Sequence, residues 1–259
     1  MKKLITICGV FLVALLPQSA IAAGYALFDA PTDTISVSGN SVIGTAATIE
    51  ARVNIANVDS TYGNIFGEWS SGREDKYLLI GPNQKINGYL YHPGGLTPLE
   101  SSATVSLNTW HHIAYVYDGS EERLYLDGIK AGSRPASGDV LDYSYSIAAV
   151  GAIFRDSQIT ASFQGLIDTL RFSTIARYTG DSFTAPTGDL TPDAYTNLLY
   201  NFDEPQNSTV VYDLSGNGRN GYFGTGFTGA TSPTLVPEPA SVILIGVGLF
   251  FARLRRRQS

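Results

Sequence analysis

The sequence predicts an all-β body of two packed antiparallel sheets or a closed barrel, set between two short apolar ends. Three observations lead there. Short runs of alternating or wholly apolar residues recur along the chain, Gly, Asn, Asp and Pro punctuate them, and no long amphipathic helical stretch interrupts them. Short strands without helices can bury their apolar faces only against a second sheet or against the same sheet closed on itself.

The clearest strand is Thr48-Ile49-Glu50-Ala51-Arg52-Val53-Asn54-Ile55, whose alternation puts Ile49, Ala51, Val53 and Ile55 on one face. Further runs are Asn64–Trp69, Lys76–Ile80, Ile86–Tyr91, His111–Tyr117, Arg123–Leu126, Ile147–Ile153, Phe163–Phe172 and Leu198–Phe202. Trp110 to Gly128 reads as a hairpin, with His112, Ala114 and Val116 on one face and Ile113, Tyr115 and Tyr117 on the other. Glu121-Glu122 fall in its loop, and Asp127-Gly128 turns the chain again. Thr174 to Tyr178 is long enough for one helical turn. The body is expected to span residues 23–228, followed by a flexible Gly- and Thr-rich spacer at 229–235.

Each end carries a processing pattern. Lys2 and Lys3 precede an apolar run from Leu4 to Leu16, and Pro17 breaks it before Ala20-Ile21-Ala22. That order is a secretory signal peptide, residues 1–22, with signal peptidase cutting after Ala22. At the other end, 236–259, Val236-Pro237-Glu238-Pro239 leads into a short apolar helix from Val242 to Ala252, closed by Arg253, Arg255, Arg256 and Arg257. A run this short spans a bilayer only marginally, which suits transient inner-membrane insertion with the arginines on the cytoplasmic side. These features in this order resemble the PEP-CTERM sorting signal. The resemblance implies processing by an exosortase, in a Gram-negative bacterium that makes extracellular polysaccharide, and a destination at the cell surface or beyond it.

Removing both ends leaves eleven basic and 22 acidic residues, a net charge of −11. So acidic a body argues against nucleic acid and anionic membrane surfaces as partners. The sole cysteine, Cys8, lies in the leader, so the mature body has no disulfide and no thiol nucleophile.

Three ordered segments point to one family. They are Trp110-His111-His112-Ile113-Ala114 with Tyr117-Asp118-Gly119 and Leu124-Tyr125-Leu126-Asp127-Gly128; Phe163-Gln164-Gly165-Leu166-Ile167-Asp168-Thr169-Leu170-Arg171; and Phe202-Asp203-Glu204 with Asp213-Leu214-Ser215-Gly216-Asn217-Gly218. Together they resemble the laminin-G-like, concanavalin A-like lectin superfamily. The resemblance implies a jelly-roll sandwich of two antiparallel sheets. The third segment opens the domain in many relatives and stands last here.

The ligand-contact candidates are Trp69, beside Ser70-Ser71-Gly72, and the cluster Tyr89, Tyr91 and His92 before Pro93-Gly94-Gly95. Aromatic rings with a polar edge suit a half-wet glycan surface, and the spacing puts Tyr89 and Tyr91 on one face. The alternative for each is cross-strand packing or burial. His111 and His112 point to opposite faces and read as structural. The family resemblance implies a structural calcium ion as the one cofactor to consider, on Asp168 with Asp29. The other reading has Asp168 bridging within the fold, with Arg171 nearby.

Glycoside hydrolysis needs two carboxylates across the scissile bond, and related glucanases carry theirs at alternate positions of one strand. Glu74-Asp75 and Glu121-Glu122 are adjacent instead, and no G-x-S-x-G motif is present. The expected function is therefore a non-catalytic surface or matrix protein, of the kind found in biofilms, whose partner is a glycan or extracellular polysaccharide. Alternatives are a structural or adhesive protein with a protein partner and, from another class, a diverged glycan hydrolase.

Overall fold

The computed structural model describes residues 24–37, 44–58, 62–70, 73–93, 97–141, 147–155 and 158–237. In chain order the strands are β1 (Gly24–Phe28), β2 (Ile35–Val37), β3 (Ala47–Asn57), β4 (Gly63–Ser70), β5 (Arg73–Ile80) and β6 (Lys85–Leu90). Then come β7 (Leu99–Thr104), β8 (Trp110–Tyr117), β9 (Glu121–Leu126), β10 (Ile129–Pro135), β11 (Ile147–Val150) and β12 (Ile153–Arg155). The last six are β13 (Gln158–Thr160), β14 (Gln164–Ser173), β15 (Thr196–Tyr200), β16 (Val210–Val211), β17 (Gly221–Phe223) and β18 (Thr234–Pro237). Among the described residues there is no helix, and Thr174 to Tyr178 is irregular.

Two eight-stranded sheets form a sandwich, and neither closes into a barrel. The first runs β10-β9-β8-β3-β14-β1-β18, with β15 also on β14; the second runs β16-β17-β2-β11-β4-β5-β6-β7. All named strand pairs are antiparallel. The core lies between the sheets. Ile49, Ala51, Val53 and Ile55 of β3 and Ile113, Tyr115 and Tyr117 of β8 are at most 1% exposed, as alternation predicts. Phe66 of β4 meets Phe172 of β14 edge to face across the gap, with ring centroids 5.9 Å apart.

Local turn chemistry explains the β8–β9–β10 meander. Asp127 and Gly128 both have positive φ, 51° and 79°, which a two-residue hairpin turn of this hand requires. A side chain at Gly128 would also strike the Phe183 carbonyl oxygen, 2.2 Å from an ideal Cβ. Glu121 and Glu122 are not loop residues: they open β9, and Glu122 is fully buried.

Residues 174–195, which link β14 to β15, lie as a strap across the outer face of the first sheet. Tyr178 stacks on Phe183 at 3.6 Å, and both rings meet His112 and Tyr125 edge to face. Beneath the strap, the buried Glu50 carboxylate accepts from His112 Nε2 (3.0 Å), Arg171 Nε (2.8 Å) and the Tyr178 hydroxyl (2.6 Å). Burial pushes this carboxyl up, but the His112 hydrogen bond and the Arg171 charge outweigh it and hold Glu50 below its ordinary value.

The chain closes differently from the expected 229–235 spacer. Thr234–Pro237 pairs with β1, placing Gly24 opposite Pro237 and Tyr25 opposite Val236, and Leu235 enters the core at 2% exposure. Thr231 is held as well: its N–H donates to the Thr32 carbonyl at 2.9 Å, and its hydroxyl donates to buried Asp33 at 2.6 Å. The Gly/Thr composition that reads as linker here serves a strand and its approach. Residues 1–22 and the C-terminal apolar helix lie outside the described residues.

Gly24 donates its N–H to Asp203 at 2.8 Å. Burial, then the charge of Asp189, pushes the Asp203 carboxyl up to about 6. An acid whose folded value stands above the ordinary 3.8 destabilises the fold when ionised, so the cost is present above pH 6 and absent below 3.8. Asp203→Asn keeps the acceptor oxygen and removes the charge. It is expected to raise the thermal midpoint at pH 7 to 8 and to leave it unchanged near pH 3, measured by thermal denaturation across that range.

Candidate functional site

The strap packs over Ala114, Val116 and Tyr125 on the outer face of the first sheet, and the candidate site lies on the outer face of the second. Its residues are set by the strand alternation. On β5, Leu78 and Ile80 join the core, leaving Tyr77 and Leu79 outside; on β6, Ile86 and Leu90 join the core, leaving Asn87 and Tyr89 outside. Gly88 lies between them with its missing side chain toward Tyr115, whose Cδ2 would be 2.2 Å from a Cβ. Tyr77 and Tyr89 are directly opposite and stack at 5.4 Å.

A pocket of about 500 Å³ opens on this face. Tyr77, Leu79 and Asn87 supply the sheet side, Trp69 comes from β4, and the β12–β13 hairpin brings Ile153, Arg155 and Thr160. Tyr62, 49% exposed, completes the aromatic edge. The Arg155 guanidinium carbon lies 4.5 Å from the centre of the Trp69 ring. The lining thus joins apolar ring faces to an amide, a hydroxyl and a guanidinium. That mixture can stack on an apolar ring face of a ligand and hydrogen-bond polar groups at its rim.

The expected site residues fall in different places. Trp69 borders the pocket at 8% exposure. Tyr89 backs it through Tyr77, and Tyr91 packs against the same cluster, so the two share a face. His92 does not belong with them. It is fully buried, with Nε2 3.0 Å from Glu122, Nδ1 3.1 Å from the Ser137 carbonyl, and its ring stacked on Tyr117 at 4.5 Å. The alternation that sends Tyr91 outward sends its neighbour inward. Tyr115 and Arg134 also bind Glu122, which fixes His92 in a structural network.

His111 and His112 are structural too. His111 bridges Ser106 and Asp127, and His112 joins Glu50 under the strap.

The two expected calcium ligands, Asp168 and Asp29, are not brought together. Asp168 is 1% exposed and ion-paired to Arg52 at 2.5 Å, whereas Asp29 is exposed and lies beyond the Phe28–Gly165 register position, away from Asp168. No group of three His, Cys, Asp or Glu side chains placed to hold a metal occurs among the described residues.

Tyr62, Tyr77, Asn87, Arg155 and Thr160 were not legible as site residues. Tyr77-Leu78-Leu79-Ile80 is apolar on both faces, so its period does not say which side is outside. Arg155 depends on a hairpin that has no strong strand pattern.

The match to known families follows the same anatomy. The family description of the concanavalin A-like lectin/glucanases superfamily matches residues 29–179, from the end of β1 into the strap. The chain belongs to this superfamily. Strands β15 to β18 lie beyond the matched region, yet they pair into both sheets of this lectin-like sandwich. A PEP-CTERM protein-sorting motif matches residues 235–257.

A search of curated proteins gives no match. Among solved structures, a protein from Bacteroides ovatus proposed to bind carbohydrate is similar, with a TM-score of 0.65 and 18% identity over 83% of this chain and 60% of that one. At that identity the likeness is one of fold. Domains LG4-5 of the mouse laminin alpha1 chain have a TM-score of 0.46 and 15% identity over 65% of this chain and 48% of theirs. The pentraxin of Limulus polyphemus has the same TM-score at 13% identity, over 61% of this chain and 79% of that one.

Proposed function

We propose that this protein is an exported, non-catalytic glycan-binding module, cut by signal peptidase and an exosortase and delivered to the cell surface or extracellular matrix. The observation that carries the reading is the aromatic pocket on the outer face of the second sheet, with its amide, hydroxyl and guanidinium rim. The sorting motif at 235–257 supports the route. The buried carboxylates of Glu50, Glu68 and Glu122 are each engaged in ion pairs or hydrogen bonds inside the fold, which supports a binding role over hydrolysis.

The mature protein is expected to bind at least one extracellular polysaccharide saturably on a glycan and exopolysaccharide array. Tyr62→Ala removes a half-exposed ring with little effect on stability and should weaken that binding on the order of tenfold, as loss of an aromatic anchor does. Tyr212→Ala, at an exposed tyrosine outside the pocket lining, should leave it unchanged. Failure to bind any glycan would favour a protein partner instead, and binding untouched by Tyr62→Ala would move the site elsewhere.

A further inference from the structure

We infer that the sorting tail is removed after Pro237, so that the head of the sorting motif stays in the mature protein as the closing strand of the sandwich. The inference rests on the processing proposed above and adds where the cut falls. The sorting motif begins at Leu235, and Leu235 is a core residue, 2% exposed. Val236 and Pro237 continue the same strand on β1. A cut before Leu235 would strip a side chain from the core and leave β1 without its outer neighbour, exposing both apolar surface and unpaired backbone.

The same pairing fixes where the chain leaves the fold. Gly24, two residues beyond the expected leader cut, is opposite Pro237, and Asp203 holds its N–H. Both processed ends therefore emerge side by side, at one end of one two-stranded ribbon. A folded sandwich hands over its leader and its tail in the same direction, and β18 need not unzip for either cut. In the tail cut one peptide bond beyond Pro237 breaks. Its carbonyl carbon passes to water or to an amine nucleophile, and the tail departs with a new α-amino group.

The test is the mass of the mature protein recovered from a host that processes such tails, with C-terminal peptides sequenced by mass spectrometry. The expected chain ends at Pro237 or later, as a free acid or as an amide of added mass. Any mature chain ending before Pro237 overturns the inference and leaves the sorting reading intact. A chain that keeps residues 238–259 overturns both.

A second variant asks whether β18 must leave the sheet. Directly opposed antiparallel positions have Cα atoms about 4.5–5.5 Å apart, within disulfide reach. Tyr25→Cys with Val236→Cys can thus lock β18 to β1, in a mature body that has no other cysteine. Processing at the same bond in the oxidised protein is the expected result. Loss of processing in the locked protein, with the single Val236→Cys still processed, would show that the strand has to peel away and would sink the inference.

Discussion

Glu50→Ala is expected to destabilise the protein by about 3–5 kcal/mol, the usual cost of removing one partner from a buried ionic network. The carboxylate is fully buried and holds Arg171 on one oxygen and both Tyr178 and His112 on the other. Without it the Arg171 charge remains under the strap without its carboxylate partner, with the Thr191 carbonyl 3.3 Å away as a neutral acceptor. At roughly 2–4 °C per kcal/mol for a domain of this size, the thermal midpoint should fall by about 6–20 °C. The loss has an address. Residues 174–195 are tied to the sheet partly through Tyr178, so their amides should exchange faster in Glu50→Ala while those of β5 and β6 keep their protection.

Glu50→Gln separates charge from shape. The wild-type carboxyl lies below its ordinary value of 4.5 in the fold, so its contribution is present above pH 4.5 and is lost as pH falls through the folded value. The stability gap between wild type and Glu50→Gln should therefore narrow on acidification. A gap that stays constant from pH 7 down to pH 3, in denaturation series at each pH, would mean that Glu50 acts through packing alone.

The contrast between legible and hidden elements has a physical basis. β3 and the β8–β9 hairpin are long enough for alternation to declare a face, and Asp127-Gly128 states its own turn. Those parts depend on local rules. β1, β2 and β18 are strands of three to five residues, and β1 finds its partner more than two hundred residues away. No local period announces such a pairing, and the turn-rich approach to β18 carries the composition of a linker. The same limit applies to the site. Alternation correctly joins Tyr89 to Tyr91, but which of those rings borders a pocket depends on the β12–β13 hairpin and Tyr62, brought in from other parts of the chain. The buried ion pair of Lys76 with Glu68, at 2.8 Å, is likewise invisible. Each residue alone looks like an ordinary charged position, and only the β4–β5 register makes them partners.

The last strand yields the second large effect. A chain spanning residues 23–228 should be far less stable than one spanning 23–237. The longer chain keeps Leu235 in the core and Thr231 on Asp33; the shorter one loses both. Removing a buried leucine side chain costs about 2–5 kcal/mol, and leaving the buried Asp33 carboxylate without the Thr231 hydroxyl donor adds about 1–3 kcal/mol. Backbone groups of β1 and Thr34 lose their partners as well. A loss on the order of 5 kcal/mol is a large share of the 5–15 kcal/mol that typically holds a domain together, so the shorter chain should be largely unfolded or melt far below the longer one. Urea denaturation of the two chains decides the point. Equal midpoints would return residues 229–235 to the status of a spacer. A collapse confined to the shorter chain would mean that the fold is completed only by the residues at which the sorting motif begins. Secretion would then have to deliver nearly the whole chain before the sandwich can close.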